Sequence, residues 1–93
     1  MRVKVKFFAM LRELLGRGEE EYELEEGASI RDLLFDHVPK RHGEISSLWL
    51  ERMERLLKRN GGYILIVNGH RVDLDRKLSN GDVVAVLPPV GGG

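Results

Sequence analysis

The last eight residues, VLPPVGGG, combine residue types that could present a reactive carboxylate. Pro88 and Pro89 lack backbone N–H donors, so they end the hydrogen-bonded ladder of a preceding strand and keep the chain extended. Gly91, Gly92 and Gly93 have no Cβ that could obstruct approach to the backbone. A tail of this kind can enter a channel only as wide as a backbone, where an enzyme could reach the carboxylate of Gly93 and activate it.

An inert linker remnant is the alternative interpretation of such a glycine run, since chain ends commonly carry poorly ordered segments. Here the glycines follow an apolar, strand-like run and a stiff proline spacer. This position favours a functional tail over residues 88–93.

Other motifs with chemical potential are weaker. His37, His42 and His70 have no matching set of carboxylates, so we expect them at the surface or at helix ends and expect no metal site. The glycine motifs GRG at 16–18 and NGG at 60–62 lack the patterns of phosphate-binding loops and are predicted to be turns. The chain is expected to bind no cofactor by itself.

The composition limits the class of protein. A chain of 93 residues has the length of one domain, and a core of this size leaves little room for an enclosed active site. Fifteen basic and fifteen acidic residues cancel, which removes the bulk electrostatic reason to bind nucleic acid or an anionic membrane. We therefore expect protein partners. The absence of cysteine, signal-peptide pattern and membrane-length apolar run leads us to expect a cytoplasmic location.

Period-two alternation predicts that the chain begins with a strand, RVKVKFF, which buries Val3, Val5 and Phe7. The stretch AMLRELLG changes to helical spacing, with Met10 in its apolar stripe, and Gly16 is suited to end that helix. The stretch EEEYEL returns to strand spacing, and its acidic face is expected to be solvated.

Two further helices are predicted in the middle of the chain. Ser29 is suited to cap the first, and Pro39 is expected to end it. Its apolar stripe comprises Ile30, Leu33, Leu34 and Val38. The second helix is expected at about 44–59, and we assign its apolar face, which includes Trp49, to the core rather than to a partner.

The runs YILIV and VVAVL predict central strands, with a short strand at about 70–72 between them. The whole order predicts an α+β domain over residues 1–93, with a mixed sheet of about five strands packed on the helix at 29–38. A helical insert at about 44–60 is added to this plan. This is the order of elements in a β-grasp domain.

Two stretches resemble the sulfur carriers of the MoaD/ThiS family. They are VKVKFFAMLRELLG at 3–16 and VNGHRVDLDRKLSNGDVVAVLPPVGGG at 67–93, in which the ending GD…PPV-x-GG is the most specific part. The resemblance implies a ubiquitin-like β-grasp fold. It also implies that an E1-like adenylating enzyme uses ATP to adenylate the C-terminal glycine, after which sulfur replaces the adenylate to give a thiocarboxylate. The carrier would then deliver this sulfur to a pterin precursor in the large subunit of molybdopterin synthase.

By position, the resemblance makes Gly93 the acyl carrier and Gly92 the second glycine of the required pair. Gly91 falls where the family accepts small residues, and Val90 completes the spacer that follows the two prolines. The insert near 44–60 departs from the shorter members and resembles longer archaeal-type relatives. The activating enzyme and the sulfur acceptor therefore stay open.

Phe8 is a candidate docking contact for a partner, together with Leu87 just before the prolines. An aromatic residue is unexpected beside Lys4 and Lys6 on the polar face of the first strand unless something covers it. Cover by the helices of the same chain is the alternative.

Three other functions are compatible with these residues. The first is a ubiquitin-like protein modifier joined to lysines through Gly93, and the second is sulfur donation for thiamine synthesis or tRNA thiolation. The third is an interaction domain with an inert tail.

Overall fold

The computed structural model of the chain describes residues 1–58 and 60–89. The elements in chain order are β1 Arg2–Phe7, α1 Ala9–Leu15, β2 Glu19–Glu23, α2 Ile30–Asp32, a π-helical segment Leu33–His37, α3 Val38–Arg41, a 3₁₀ turn Gly43–Ile45, α4 Ser46–Leu56, β3 Ile64–Val67, β4 His70–Val72 and β5 Val83–Leu87. Four residues of the predicted tail, Val90, Gly91, Gly92 and Gly93, lie outside the described residues.

The five strands form one mixed sheet, as predicted, and their order in this sheet is β2-β1-β5-β3-β4. β1 pairs in parallel with β5 and antiparallel with β2, and β3 pairs antiparallel with both β5 and β4. The parallel register aligns Phe7 with Val86. The last residues of β1 and β5 therefore lie at the same edge of the sheet, which we call the tail edge.

The core lies between one face of this sheet and the helices. Val3, Val5 and Phe7 are at most 1% exposed, which confirms the predicted alternation. The four residues of the predicted helical stripe are all 0% exposed: Ile30, Leu33, Leu34 and Val38. Burial alternates along β3 and β5, so these strands are fully covered on one face only.

Ser29 caps α2 as predicted, in a reciprocal arrangement with Asp32. The Ser29 hydroxyl accepts a hydrogen bond from the Asp32 N–H at 3.2 Å, and the Asp32 carboxylate accepts one from the Ser29 N–H at 2.9 Å. Two N–H groups that the first helical turn cannot satisfy are thereby bonded. The bond from the Ser29 N–H is the main cause that lowers the pKa of Asp32 below its ordinary value.

Replacing Ser29 by Ala is expected to lower the free energy of unfolding by about 1 kcal/mol at neutral pH. Because the pKa of Asp32 is lowered in the folded chain, the contribution of its carboxylate is present above the unfolded pKa of 3.8 and is lost as pH falls through the folded pKa. Ser29→Ala keeps the backbone N–H that bonds to this carboxylate, so the stability of both chains should fall in acid while the deficit of Ser29→Ala stays nearly constant. Urea unfolding at a series of pH values measures the difference in free energy of unfolding between Ser29→Ala and wild type. Ser79→Ala, at an exposed serine, is the matched control.

Pro39 does not end the helix, contrary to the prediction. α2, the π-helical segment and α3 are continuous to Arg41, and Pro39 lies in the first turn of α3. The Val38 N–H bonds to the Leu33 carbonyl in the wider i→i−5 pattern. Pro39 has no N–H for the Leu34 carbonyl, but Trp49 Nε1 donates to that oxygen at 2.7 Å. The proline is tolerated because a side chain from α4 replaces the missing donor.

The helical insert is part of the core. α4 is shorter than the predicted 44–59 helix, since a 3₁₀ turn precedes it and Leu57 caps it. Trp49 and Met53 are 0% exposed, and the Trp49 ring meets Phe7 edge to face with ring centroids 5.6 Å apart. This confirms the interpretation of the Trp49 face as core packing.

The acidic face of β2, formed by Glu19, Glu21 and Glu23, is exposed as expected, whereas Glu20 lies on the buried face with Tyr22. Glu20 is 5% exposed, and its carboxylate accepts a hydrogen bond from the Tyr22 hydroxyl at 2.7 Å. It also contacts His42 Nε2 at 2.9 Å. His42 caps the C-terminal end of α3, one of the helix-end positions expected for the histidines. Burial, followed by the bond to Glu20, raises the pKa of Tyr22.

Candidate functional site

The tail edge brings together the two residues that were predicted to dock a partner. Phe8 directly follows β1, and Leu87 is the last residue of β5. Because Phe7 is level with Val86, the next residue on each strand lies at the same height of the sheet. The chain enters its tail at this edge, beside Phe8.

Phe8 is not on the polar face of β1, as the sequence suggested, but one residue beyond the strand. It occupies the N-cap position of α1 with an extended backbone, and its carbonyl accepts the Leu11 N–H at 3.1 Å. Its side chain is 37% exposed, so the helices of the chain cover it only in part. Its role in docking stays a prediction.

Met10 is a residue at this edge that the sequence reasoning missed. It was predicted in the apolar stripe of α1, but it is 37% exposed, whereas Leu11 and Leu15 are buried. With Phe8 it places two exposed apolar side chains at the start of α1. The predicted stripe had four members, Met10, Leu11, Leu14 and Leu15, and this seven-residue helix buries only Leu11 and Leu15.

An apolar strip continues from Leu87 across the face of the sheet that points away from the core. The strip consists of Ile64, Ile66, Ala85 and Leu87, which are all half-buried. Ladder pairing places Ile64 beside Leu87 and Ile66 beside Ala85. Exposed cations flank the strip, with Lys6 next to Ala85 and Arg71 next to Ile66. This arrangement suits a protein partner with an apolar centre and an acidic rim.

β5 ends at Leu87 and the next residues are the two prolines, as expected from their missing N–H groups. Pro88 is half-buried and Pro89 is exposed. The predicted tail-threading role of Pro88, Pro89 and the four residues that follow them stays a prediction.

The opposite end of β5 is fixed by a polar cluster around Asp82, which is 6% exposed. Its carboxylate accepts hydrogen bonds from the Asn68 side-chain amide and the Ser79 N–H, both at 2.8 Å. The Asn68 side-chain oxygen in turn accepts the Val83 N–H at 2.9 Å. These bonds set the register of β5 and hence the height at which Leu87 reaches the tail edge. The sequence signal was the pair of Asn-Gly turns.

A cleft of about 540 Å³ lies away from the tail edge, near the start of β1. Two of its cations already have internal contacts: Arg2 pairs with Glu23 at 2.8 Å, and Arg41 lies 3.7 Å from the ring centroid of Tyr22. Within residues 1–58 and 60–89, no three His, Cys, Asp or Glu side chains converge as a metal site would require. No helix in the described part of the chain is long and apolar enough to span a bilayer. The exposed apolar residues at the tail edge therefore stay the candidate docking surface.

Known proteins resemble this chain along almost its whole length. The model of the ThiS family matches residues 5–93. The chain is 33% identical over 93 residues to the molybdopterin synthase sulfur carrier subunit of Chlamydomonas reinhardtii, with all of both chains covered.

Solved structures with this fold include a molybdopterin converting factor subunit and a small archaeal modifier protein. A putative molybdopterin converting factor, subunit 1, from Pyrococcus furiosus is 40% identical with a TM-score of 0.72, covering 97% of this chain and 99% of that one. SAMP1, a small archaeal modifier protein of Haloferax volcanii, is 26% identical with a TM-score of 0.74 and full coverage of both chains. A chain of the Amycolatopsis orientalis BexX/CysO complex is 30% identical with a TM-score of 0.65, covering 98% and 99%. The ubiquitin-like β-grasp expectation is thereby confirmed.

Proposed function

The chain belongs to the ThiS family, and from this premise we propose that it is the sulfur carrier subunit of a molybdopterin synthase, with its reactive group at Gly93. One observation carries the proposal. The family match runs through residue 93, and the structure brings the start of that tail to an exposed edge beside an apolar strip. A carrier needs this combination of an accessible terminal acyl group and a surface on which partners hold the body.

The chemistry proceeds in two steps at the Gly93 carboxyl group. The carboxylate attacks the α-phosphate of ATP, which forms an acyl adenylate and releases pyrophosphate. Hydrosulfide sulfur then attacks the acyl carbon, and AMP leaves with the bonding electron pair, which leaves a thiocarboxylate. The sulfur then bonds to a pterin precursor, and hydrolysis of the acyl carbon–sulfur bond returns the Gly93 carboxylate.

The partners supply what this chain does not hold. We propose that an E1-like adenylating enzyme binds ATP and that the large subunit of the synthase binds the pterin. A large-subunit partner is supported by the relatives that are named as subunits and by the solved complex that contains a chain of the same fold. The chain contributes the carboxylate, a narrow glycine lead and the docking surface. A cytoplasmic location stays a prediction.

Intact-mass spectrometry tests the proposal directly. The purified chain is incubated with ATP, a hydrosulfide source and the adenylating enzyme of its host, and its mass is compared with a sample that lacks ATP. The expected product has one oxygen replaced by sulfur, localised by fragmentation to Gly93. An unchanged mass with an adenylating enzyme that modifies another carrier of the same host would contradict the proposal.

A protein modifier is the second candidate function, and the similarity to SAMP1 favours it. It shares the adenylation step but joins Gly93 to a lysine amine instead of sulfur. Lysine-linked conjugates in an extract of the host, absent for a variant without Gly93, would support it. Sulfur transfer to a thiamine precursor or to tRNA shares the thiocarboxylate and changes only the acceptor.

A further inference from the structure

The glycine pair Gly61–Gly62 lies between α4 and β3, where the sequence suggested only a turn. β3 pairs antiparallel with β5, and Ile64 is opposite Leu87. Two more residues along each strand, this register places Gly62 opposite Pro89. A methyl group on Gly62 would lie 3.1 Å from Pro89 Cβ and 3.3 Å from its Cγ, closer than ordinary van der Waals contact. Because Gly62 has no side chain, the proline ring can occupy this space.

Pro89 needs such a contact because hydrogen bonds cannot hold it in the sheet. Leu87 is the last residue of the β5 ladder, and the two prolines after it have no N–H to donate. The position at which the chain leaves the sheet must therefore be set by packing. Gly62 provides this packing on the β3 side.

The backbone beside this contact is tied to the end of α4. A side chain at Gly61 would clash with the carbonyl oxygens of Arg55 and Leu56, so only glycine lets the chain close on the end of α4. The Tyr63 N–H donates to the Leu56 carbonyl at 3.1 Å and ties the start of β3 to the same helix end. α4 itself is anchored in the core through Trp49.

We infer that Gly62 is a positioning residue for the tail. Its contact with the Pro89 ring, which we call the seat, lets the helical insert set the position at which residues 90–93 begin. The functional consequence rests on the proposed sulfur-carrier function, whereas the seat itself does not. The insert thereby does more than pack in the core, because the end of α4 supports the β3 side of the place where the chain leaves the sheet.

The test compares Gly62→Ala with Gly69→Ala. The two glycines flank β3, and both have positive φ, +75° and +85°, so alanine strains the backbone at each. Only Gly62 has a neighbour, because nothing lies within 4 Å of a methyl group at Gly69. The kcat/KM of ATP-dependent adenylation, followed as pyrophosphate release with the host's adenylating enzyme, is expected to fall about tenfold for Gly62→Ala and less than about twofold for Gly69→Ala.

A second readout is independent of function. In the wild-type chain, NMR should show a nuclear Overhauser effect between the Gly62 Hα and the Pro89 ring protons. Its absence would overturn the seat, and equal kinetic losses for the two alanine variants would overturn the positioning role. If the wild-type chain is not adenylated at all, the proposed function fails, and the Overhauser measurement still decides the seat.

A variant on the other side of the contact covers the case in which Gly62→Ala does not fold. Pro89→Gly removes the ring and leaves the α4–β3 turn unchanged, and we expect a similar loss of kcat/KM. If both single variants fold, the double variant should lose no more than Pro89→Gly alone, since the contact is already gone. Full adenylation by Pro89→Gly, or additive losses in the double variant, would contradict the inference.

Discussion

Removing Gly92 and Gly93 is expected to lower ATP-dependent sulfur loading by at least about a hundredfold, because the acyl group then ends two residues short of the partner's reactive centre. The deleted residues come after β5 and its proline spacer, so the melting temperature of the shortened chain should match that of the full chain. Intact-mass spectrometry of the loaded product measures the loss, and circular dichroism of the melting transition shows that the body is unaffected.

A matched substitution separates length from chemistry. Gly91→Ala keeps all 93 residues and changes a position at which the family resemblance implies that small residues are accepted, so loading should stay within about threefold of wild type. If the chain without Gly92 and Gly93 still delivers its function in cells, the tail is inert and the interaction-domain hypothesis gains. If Gly91→Ala alone abolishes loading, the channel of the adenylating partner that receives the tail is narrower than the resemblance implies.

Most of the elements could be predicted from the sequence because their signals are local. Alternation places Val3 and Val5 in the core, Ser29 begins a helix, and the prolines end β5 where the ladder loses its donors. Each of these outcomes depends on residues within one turn or one strand. The order of these strands and helices along the chain then indicates the fold.

The features that escaped prediction depend on partners far along the chain. Glu20 has the parity of the buried Tyr22, but its acidic type suggests solvent unless His42, 22 residues away, is known to meet it. Pro39 continues a helix because Trp49 supplies the missing donor. Gly62 meets Pro89 only through the register of β3 against β5. Such contacts are set by the assembled sheet and core, which local sequence patterns do not encode.

Replacing Trp49 by Ala is expected to lower the free energy of unfolding by about 3–5 kcal/mol, a large part of the total stability of a domain of this size. The indole is 0% exposed, packs on Phe7 and donates to the Leu34 carbonyl, so its removal opens a cavity and leaves a buried acceptor unsatisfied. Urea unfolding followed by circular dichroism measures the loss. Leu48→Ala on the same helix is the control, since Leu48 is 39% exposed and should change stability by less than about 1 kcal/mol.

A double-mutant cycle isolates the hydrogen bond from the packing. Trp49→Phe keeps an aromatic ring but removes the donor to Leu34, and its loss should include about 1–3 kcal/mol for the unsatisfied carbonyl. Pro39→Ala restores a backbone N–H that can reach that carbonyl in the i→i−5 pattern already present at Val38. Trp49→Phe should therefore be less harmful in the Pro39→Ala background, with a coupling of about 1 kcal/mol. Strict additivity would show that Trp49 stabilises this helix through packing alone and that the proline needs no substitute donor.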